Sequence, residues 1–372
     1  MALHPANSGR RHTHAFGVLA TVVAGALSSA GAASASPLAE GTSVIKNRSI
    51  AYAMTHRFWG ILESEGGKEE CPQGFNDGPR EQFKALYPDG KQWTLMETQL
   101  KREGEQWHPE TSTDRFPFHE AVGKVAYGMN LDNRVDENDF VSPDGEQGID
   151  NELYRVIGCI ANYRIGGTFS HFENLYMGTY NDNRFVIEIT DVDDLVNDDD
   201  VTVTTYRGLD RILNDATGSN FLPGGTQRLD LRWGKDFIQS FKGKIVDGEL
   251  ITEPGAAPHK WQWSATFDVN GYQLFHDLRF KLKLSPEGAE GLMAGYVDVE
   301  HFTDHLNTSW STHHQSYGQT SSPSQHRALR RRADGVPDPE TGINRGISAA
   351  VNVKFTQVFI SRPEQKVISA RR

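Results

Sequence analysis

The stretch from Gly128 to Cys159, GMNLDNRVDENDFVSPDGEQGIDNELYRVIGC, concentrates the residue types that do chemistry. Between Asp132 and Glu152 stand eight acids and a single base, Arg134, a formal charge of −7 over 21 residues. Carboxylates at that density repel one another unless a counter-charge or full hydration intervenes. Laid against an EF-hand-type calcium loop with Gly128 at the first position, the first half supplies Asn130, Asp132, Asp136 and Asp139 at positions three, five, nine and twelve. Asn133 takes the sixth, where glycine normally makes the sharp turn and where asparagine tolerates the left-handed conformation. Position one is glycine rather than aspartate, and Asp144 and Asp150 offer further oxygens from the second half. Oxygen-only donors suit a hard cation, so calcium is the expected cofactor, with the structural task of ordering a loop. The competing reading is that these acids cap turns and helices on a solvated surface.

Other constellations are thinner. Asp191 to Asp200 contains a second acid run with six aspartates, which suits either another calcium or an acidic hairpin tip. His301 and His305 stand at i, i+4, on one face of a helix, with Asp304, His313 and His314 nearby, so a zinc or other transition-metal site is open beside ordinary surface histidines. No H-E-x-x-H and no G-x-S-x-G occurs. A carboxylate pair acting as acid and base is open to a chain with 49 acids, but that abundance gives no means of selecting the pair. Trp233, Trp261 and Trp263 fall in expected strands and offer either a stacking platform for a sugar or ordinary core.

The order LDNRVDENDF, SPDGEQGIDN, a Gly-Cys pair and then a β-rich half with an Asp-rich turn resembles a loose set of uncharacterised secreted bacterial proteins, over roughly residues 125–300. That resemblance implies no activity. The partner it leaves open is a ligand such as a carbohydrate or a protein.

The elements that must hold these groups read as follows. Apolar residues from Val44 to Glu63 recur at mixed helical spacings, which predicts one helix there, and 79–87 and 94–103 predict short amphipathic helices. Leu153, Val156, Ile157 and Ile160 predict another, with Asp150 as its N-cap. Beyond Gly166 come short alternating segments at 185–189, 201–206, 229–233, 244–246, 261–269, 278–284, 291–299 and 351–360, separated by Gly, Asn and Pro turns. Gln325 to Arg332 suits a helix. Strands without long intervening helices favour an antiparallel sheet architecture. The expected fold is therefore mainly β with α: an antiparallel, jelly-roll-like β-sandwich preceded by a helical and loop-rich N-terminal section. The expected division is a signal peptide at 1–35, the N-terminal section at 36–126, the acidic calcium-binding stretch at 127–160, the sandwich at 161–361 with a His/Arg-rich excursion at 300–335, and a tail at 362–372.

Residues 1–35 carry Arg10 and Arg11, no acid, an apolar small-residue run and Ala33-Ser34-Ala35, the pattern of a secretory signal and its cleavage site. Export to the periplasm or beyond follows. Without those two arginines the formal charge of −11 becomes −13, which repels nucleic acid and anionic lipid, and no second apolar run suits a membrane span. Cys71 and Cys159 are the only cysteines, and in an oxidising compartment two lone cysteines pair, the alternative being two buried thiols. The expected function is a calcium-ordered binding or structural protein. The alternative is a secreted hydrolase using carboxylates or a His-bound metal.

Overall fold

The computed structural model describes residues 44–76, 118–179, 184–231, 237–262, 272–308 and 322–362. The strands are β1 (Ser49–Trp59), β2 (Phe140–Val141), β3 (Gln147–Ile149), β4 (Arg184–Thr190), β5 (Asp198–Gly208), β6 (Gly225–Arg228) and β7 (Ser240–Val246), followed by β8 (Glu249–Thr252), β9 (His259–Gln262), β10 (Tyr272–Leu284), β11 (Gly288–Asp298), β12 (Gly335–Pro337) and β13 (Asn344–Ser361). The helices are α1 (Glu152–Ile157), α2 (Thr168–Thr179), α3 (Val299–Thr308) and α4 (Ser322–Arg332).

Eight of the strands form one closed antiparallel barrel in the order β1-β4-β5-β7-β8-β10-β11-β13, and β13 pairs back onto β1. The expected sandwich is therefore corrected. A sandwich has two facing sheets with free edges, whereas here Ala51 to Trp59 pair with Val358 to Val351 and the edge disappears. The N-terminal section is corrected too: the segment expected to be a helix is strand β1, the seam of the barrel.

Along β5 and the second half of β10 the alternation is clean. Val201, Val203, Leu278, Phe280, Leu282 and Leu284 point into the core, while Thr202, Thr204 and Lys283 face out. Tyr52, Met54, Phe185, Phe241, Phe280 and Phe355 fill the interior, so the barrel is a packed core. The outer face of the barrel carries charges such as Lys242, Lys244, Lys283, Glu290 and Lys354, and not the continuous apolar band of a lipid-facing barrel. Among the described residues no helix is long and apolar enough to cross a membrane.

Leu153, Val156, Phe169, Val299, Phe302 and Leu329 of the four helices join the same core, extending it beyond the barrel end where β1 and β11 finish. The Trp59 and Phe302 rings meet edge to face at 6.1 Å across that junction. Cys71 and Cys159 form a disulfide with a Cα–Cα distance of 5.6 Å, which ties the segment after β1 to the residues following α1. Asn174 of α2 brackets β1, accepting from the Arg57 backbone N–H and donating to the Arg57 carbonyl, each at 2.9 Å.

Two patches of the barrel's outer wall are covered by further layers. Ile212 and Phe221 lie over Ala51, Ala53, Val186 and Val358. Met129 and Leu131, at the start of the acidic stretch, lie over Ala294, Tyr296 and Ala350. The second contact sets the acidic stretch against the wall formed by β11 and β13.

Candidate functional site

The acidic stretch folds as two arms. Residues 129–139 form an irregular loop, and β2 and β3 form a small hairpin that returns to Asp150, which bridges back to Met129. Gly148 lets the arms meet: it has φ +74°, and a Cβ there would fall 2.4 Å from the Arg134 carbonyl oxygen. Asn133 has φ +62°, the left-handed conformation that its place in the loop calls for. Within the loop, Asp132 accepts from the Arg134 N–H at 2.8 Å and Asp139 from the Asp136 N–H at 2.5 Å. Asp150 accepts from the Leu131 N–H at 2.6 Å, and Arg279 of β10 donates to the Asn130 and Leu131 carbonyls at 3.2 and 2.5 Å. These bonds clamp the loop to the barrel.

A cavity of about 350 Å³ opens between this loop, the barrel wall and the end of α4. Its walls carry six carboxylates: Asp132, Asp136, Asp139 and Asp150 from the acidic stretch, Glu152 from the first turn of α1, and Asp334 just after α4. Asn130 and Asp144, expected to contribute, are not part of the lining. The Oδ1 of Asn130 is buried without a hydrogen-bond partner, while its Nδ2 donates to the Arg134 carbonyl at 2.6 Å. Among the described residues no three Asp, Glu, His or Cys side chains converge closely enough to hold a metal ion.

One wall of the cavity rests on a cross-strand pair of the barrel, Tyr296 of β11 opposite Ser348 of β13. Ser348 holds Asp334 twice, its N–H donating at 2.7 Å and its hydroxyl at 2.5 Å, while the same hydroxyl accepts from the Glu152 N–H at 2.8 Å. Gly335 makes room for the Tyr296 ring, which a Cβ there would meet at 2.4 Å. Tyr296 is 8% exposed, and its hydroxyl finds no partner among the described residues. At the far side Arg331 and Arg332 pair with Glu120, Arg332 at 2.6 Å, and Arg332 also reaches Glu152 at 3.3 Å.

The crowding shows in the protonation equilibria. Burial, with Asp132 and Asp139 adding to it, raises Asp150 to about 6 against the opposing N–H bonds of Leu131 and Asp132. Burial raises Asp334 to about 7, with Glu152 and Asp150 adding to it against the two bonds from Ser348. Asp334 is nonetheless exposed to solvent, so its shift is a direction, upward, set by the protein packed on one side of it. The Tyr296 hydroxyl is held well above its ordinary range by burial and by Asp150, Asp334 and Asp132. Burial acts against Glu120, yet Arg332 and Arg331 keep it below the usual carboxylate range.

The remaining sequence candidates lie elsewhere. His301 is on α3, as the spacing predicts, but its Nε2 lies 2.9 Å from the Tyr272 carbonyl oxygen and its ring stacks on Tyr272 at 4.3 Å. The His305 side chain, Trp233, Trp263, His313 and His314 lie outside the described residues, as do the leader at 1–35 and the helices expected at 79–87 and 94–103. Asp191 to Asn197 form the β4–β5 turn and Asp198 to Asp200 open β5; Asp193 pairs with Arg48 at 2.8 Å and Asp200 with Lys242 at 2.9 Å. The N-cap of α1 is Asn151 and not Asp150: the Asn151 Oδ1 accepts from the Tyr154 N–H, leaving Asp150 turned to the loop.

Sequence reasoning missed Tyr296, Asp334 and the arginine pair as parts of the site. The one available signal was Asp334 itself, an acid two residues beyond Arg330-Arg331-Arg332, a basic run that can compensate an acidic stretch. No family model, curated protein or solved structure matches the chain.

Proposed function

We propose that the chain is an exported cation-binding protein, in which the closed barrel is a rigid carrier and the cavity on its outer wall is the binding site. The observation that carries this reading is that six carboxylates from separate parts of the chain share one cavity, with Asp150 and Asp334 pushed toward neutrality. Burial first and acidic neighbours second hold these carboxyls toward neutrality, and an entering cation displaces the proton and supplies the missing counter-charge. Among metals, oxygen-only donors favour a hard ion such as calcium, which requires the loop carboxylates to draw together from their present positions.

The test is calorimetric titration of the full chain, stripped with chelator, with calcium and with other cations. Saturable 1:1 binding of at least one cation, weakened about tenfold or more by Asp150→Asn, is expected, the loss of one charge-assisted contact. No heat and no change in melting temperature with any cation sinks the reading.

The same raised pair favours a second reading, a secreted hydrolase in which Asp334 donates and Asp150 accepts a proton near neutral pH. Its test is turnover of a glycoside and ester panel that disappears in both Asp150→Asn and Asp334→Asn. Turnover surviving in both variants excludes this site as its source.

A further inference from the structure

The chain from Glu253 to Lys260 leaves β8 and enters β9 along the surface, and within it only Gly255 and His259 are buried. His259 is 1% exposed and inserts into the barrel interior, its ring 6.3 Å from the rings of Phe185 and of Phe241. Phe275 of β10 stands opposite it in the strand pairing. Leucine or phenylalanine fills such a site without a polar atom to bury, whereas both nitrogens of this imidazole are buried without a hydrogen-bond partner. The strand that carries it is weakly secured. β9 has four residues and, among the described residues, pairs with β10 alone, while each of the eight barrel strands is paired on both sides. The approach to β9 is tied by the Gly255 N–H donating to the Leu278 carbonyl at 2.9 Å and by Gln239 Nε2 donating to the Ala257 carbonyl at 2.7 Å.

The groups around His259 offer nothing to its charged form. β4 presents Phe185, β7 presents Phe241, and β10 presents Phe275 and, diagonally, Gln273, whose Oε1 is also without a partner and so does not reach the imidazole. The charged groups on inward faces toward this end are Arg207 of β5, opposite Phe185, and Arg57 of β1, opposite Val353, with Glu173 of α2 as the partner of Arg57. Asp230, whose N–H donates to the Arg207 carbonyl, lies beside Arg207. None of these charges shifts His259; burial alone lowers it, to about 4. In water an imidazole titrates near 6.5. A form with His259 out of the barrel therefore binds a proton that the closed form refuses, and closure weakens as pH falls from about 6.5 toward about 4.

We propose that His259 is an acid-released latch: once protonated it leaves the barrel interior, and the segment 253–262 lifts from β10 and opens that end of the barrel while the other strands stay paired. The opening is local because the segment has one buried side-chain anchor before β9 and one neighbouring strand, so its release leaves the pairing of β1, β11 and β13 intact. The latch is independent of the cation site, which lies on the outer wall.

The test is peptide-resolved hydrogen exchange of the full chain at pH 7 and at pH 5, each rate divided by the intrinsic rate at that pH. In the parent, opening is expected to rise about twentyfold at pH 5 in peptides from 253–262 and 272–276, the proton linkage of one imidazole, with no rise in β1, β11 or β13. Arginine partners hold Glu70, Glu120 and Glu300 below the usual carboxylate range, so these ion pairs stay charged at pH 5 and general acid unfolding does not enter. His259→Leu and His259→Gln carry no titratable group and are expected to abolish the rise, two variants being made so that one that misfolds does not remove the control. A flat parent profile overturns the proposal, as does a rise that spreads through β1, β11 and β13, and the parent alone decides both. A local rise that persists in either folded variant also overturns it, because the proton then acts elsewhere.

Discussion

At the scale of the residue, Asp334 and Asp150 make a prediction whose sign is fixed. An unfolded aspartate titrates near 3.9. The native protein therefore holds protons on Asp334 up to about pH 7 and on Asp150 up to about pH 6 that the unfolded chain has already released. Over that window the native state binds more protons, so stability falls as pH rises, and above about pH 7 the destabilisation is complete. His259 works in the opposite direction, since burial lowers it to about 4 and its charging opposes folding in acid. The informative quantity is thus a difference: the melting temperature of Asp334→Asn minus that of the parent, measured from pH 5 to pH 8, is expected to increase with pH. A difference that is flat or falls across the window contradicts the account. The acids of the cavity were legible as an acidic stretch because they are consecutive in sequence. Tyr296 and Asp334 were not, because a lone tyrosine in a strand and an acid after a basic helix acquire meaning only when β11, β13 and α4 meet.

At the scale of the element, β1 shows why a strand was read as a helix. Ile50, Tyr52 and Met54 enter the core, but Ala51 and Ala53 on the opposite face are also buried, under Ile212 and Phe221. A strand covered on both sides loses the polar alternation that identifies it. The register also shifts between Met54 and His56, which scrambles what periodicity remains. By contrast β5 and the second half of β10 have one charged face and were legible. Two predictions belong here. Arg57 of β1 and Glu173 of α2, both buried, form an ion pair at 3.5 Å, and Glu173→Ala leaves a buried guanidinium without its carboxylate. A loss of about 3–5 kcal/mol in urea unfolding is expected, and a loss below about 1 kcal/mol means the pair is not what docks α2. The disulfide closes a loop with a sequence separation of 88. Replacing both cysteines with serine is expected to cost about 2–5 kcal/mol in the same measurement, whereas an unchanged midpoint refutes its role as the staple of the helical end.

At the scale of the whole molecule, closure distinguishes the barrel from the sandwich that the strand count and turn spacing suggested. Both architectures alternate apolar and polar residues along short antiparallel strands, so the pattern is shared. What separates them is the pairing of β1 with β13, across some 300 residues of sequence, such as Tyr52 with Gln357. No local signal encodes a contact at that range. β13 also pairs with β6, β11 and β12, so a chain ending at Ile343 loses four strand partnerships at once. It is expected to show no cooperative melting transition by near-ultraviolet circular dichroism, while a sharp transition indicates a sheet that does not depend on closure. The same closure gives the cavity a fixed wall, because Tyr296 and Ser348 are neighbours on two fully paired strands and cannot move apart without opening the barrel.

The most direct test of that arrangement is peptide-resolved hydrogen exchange of the full chain with and without a saturating cation, calcium first. Slower exchange confined to residues 129–152 and to the segment around Asp334 is the result the account predicts. Protection of the 191–197 turn instead, or no change at the acidic stretch, contradicts it.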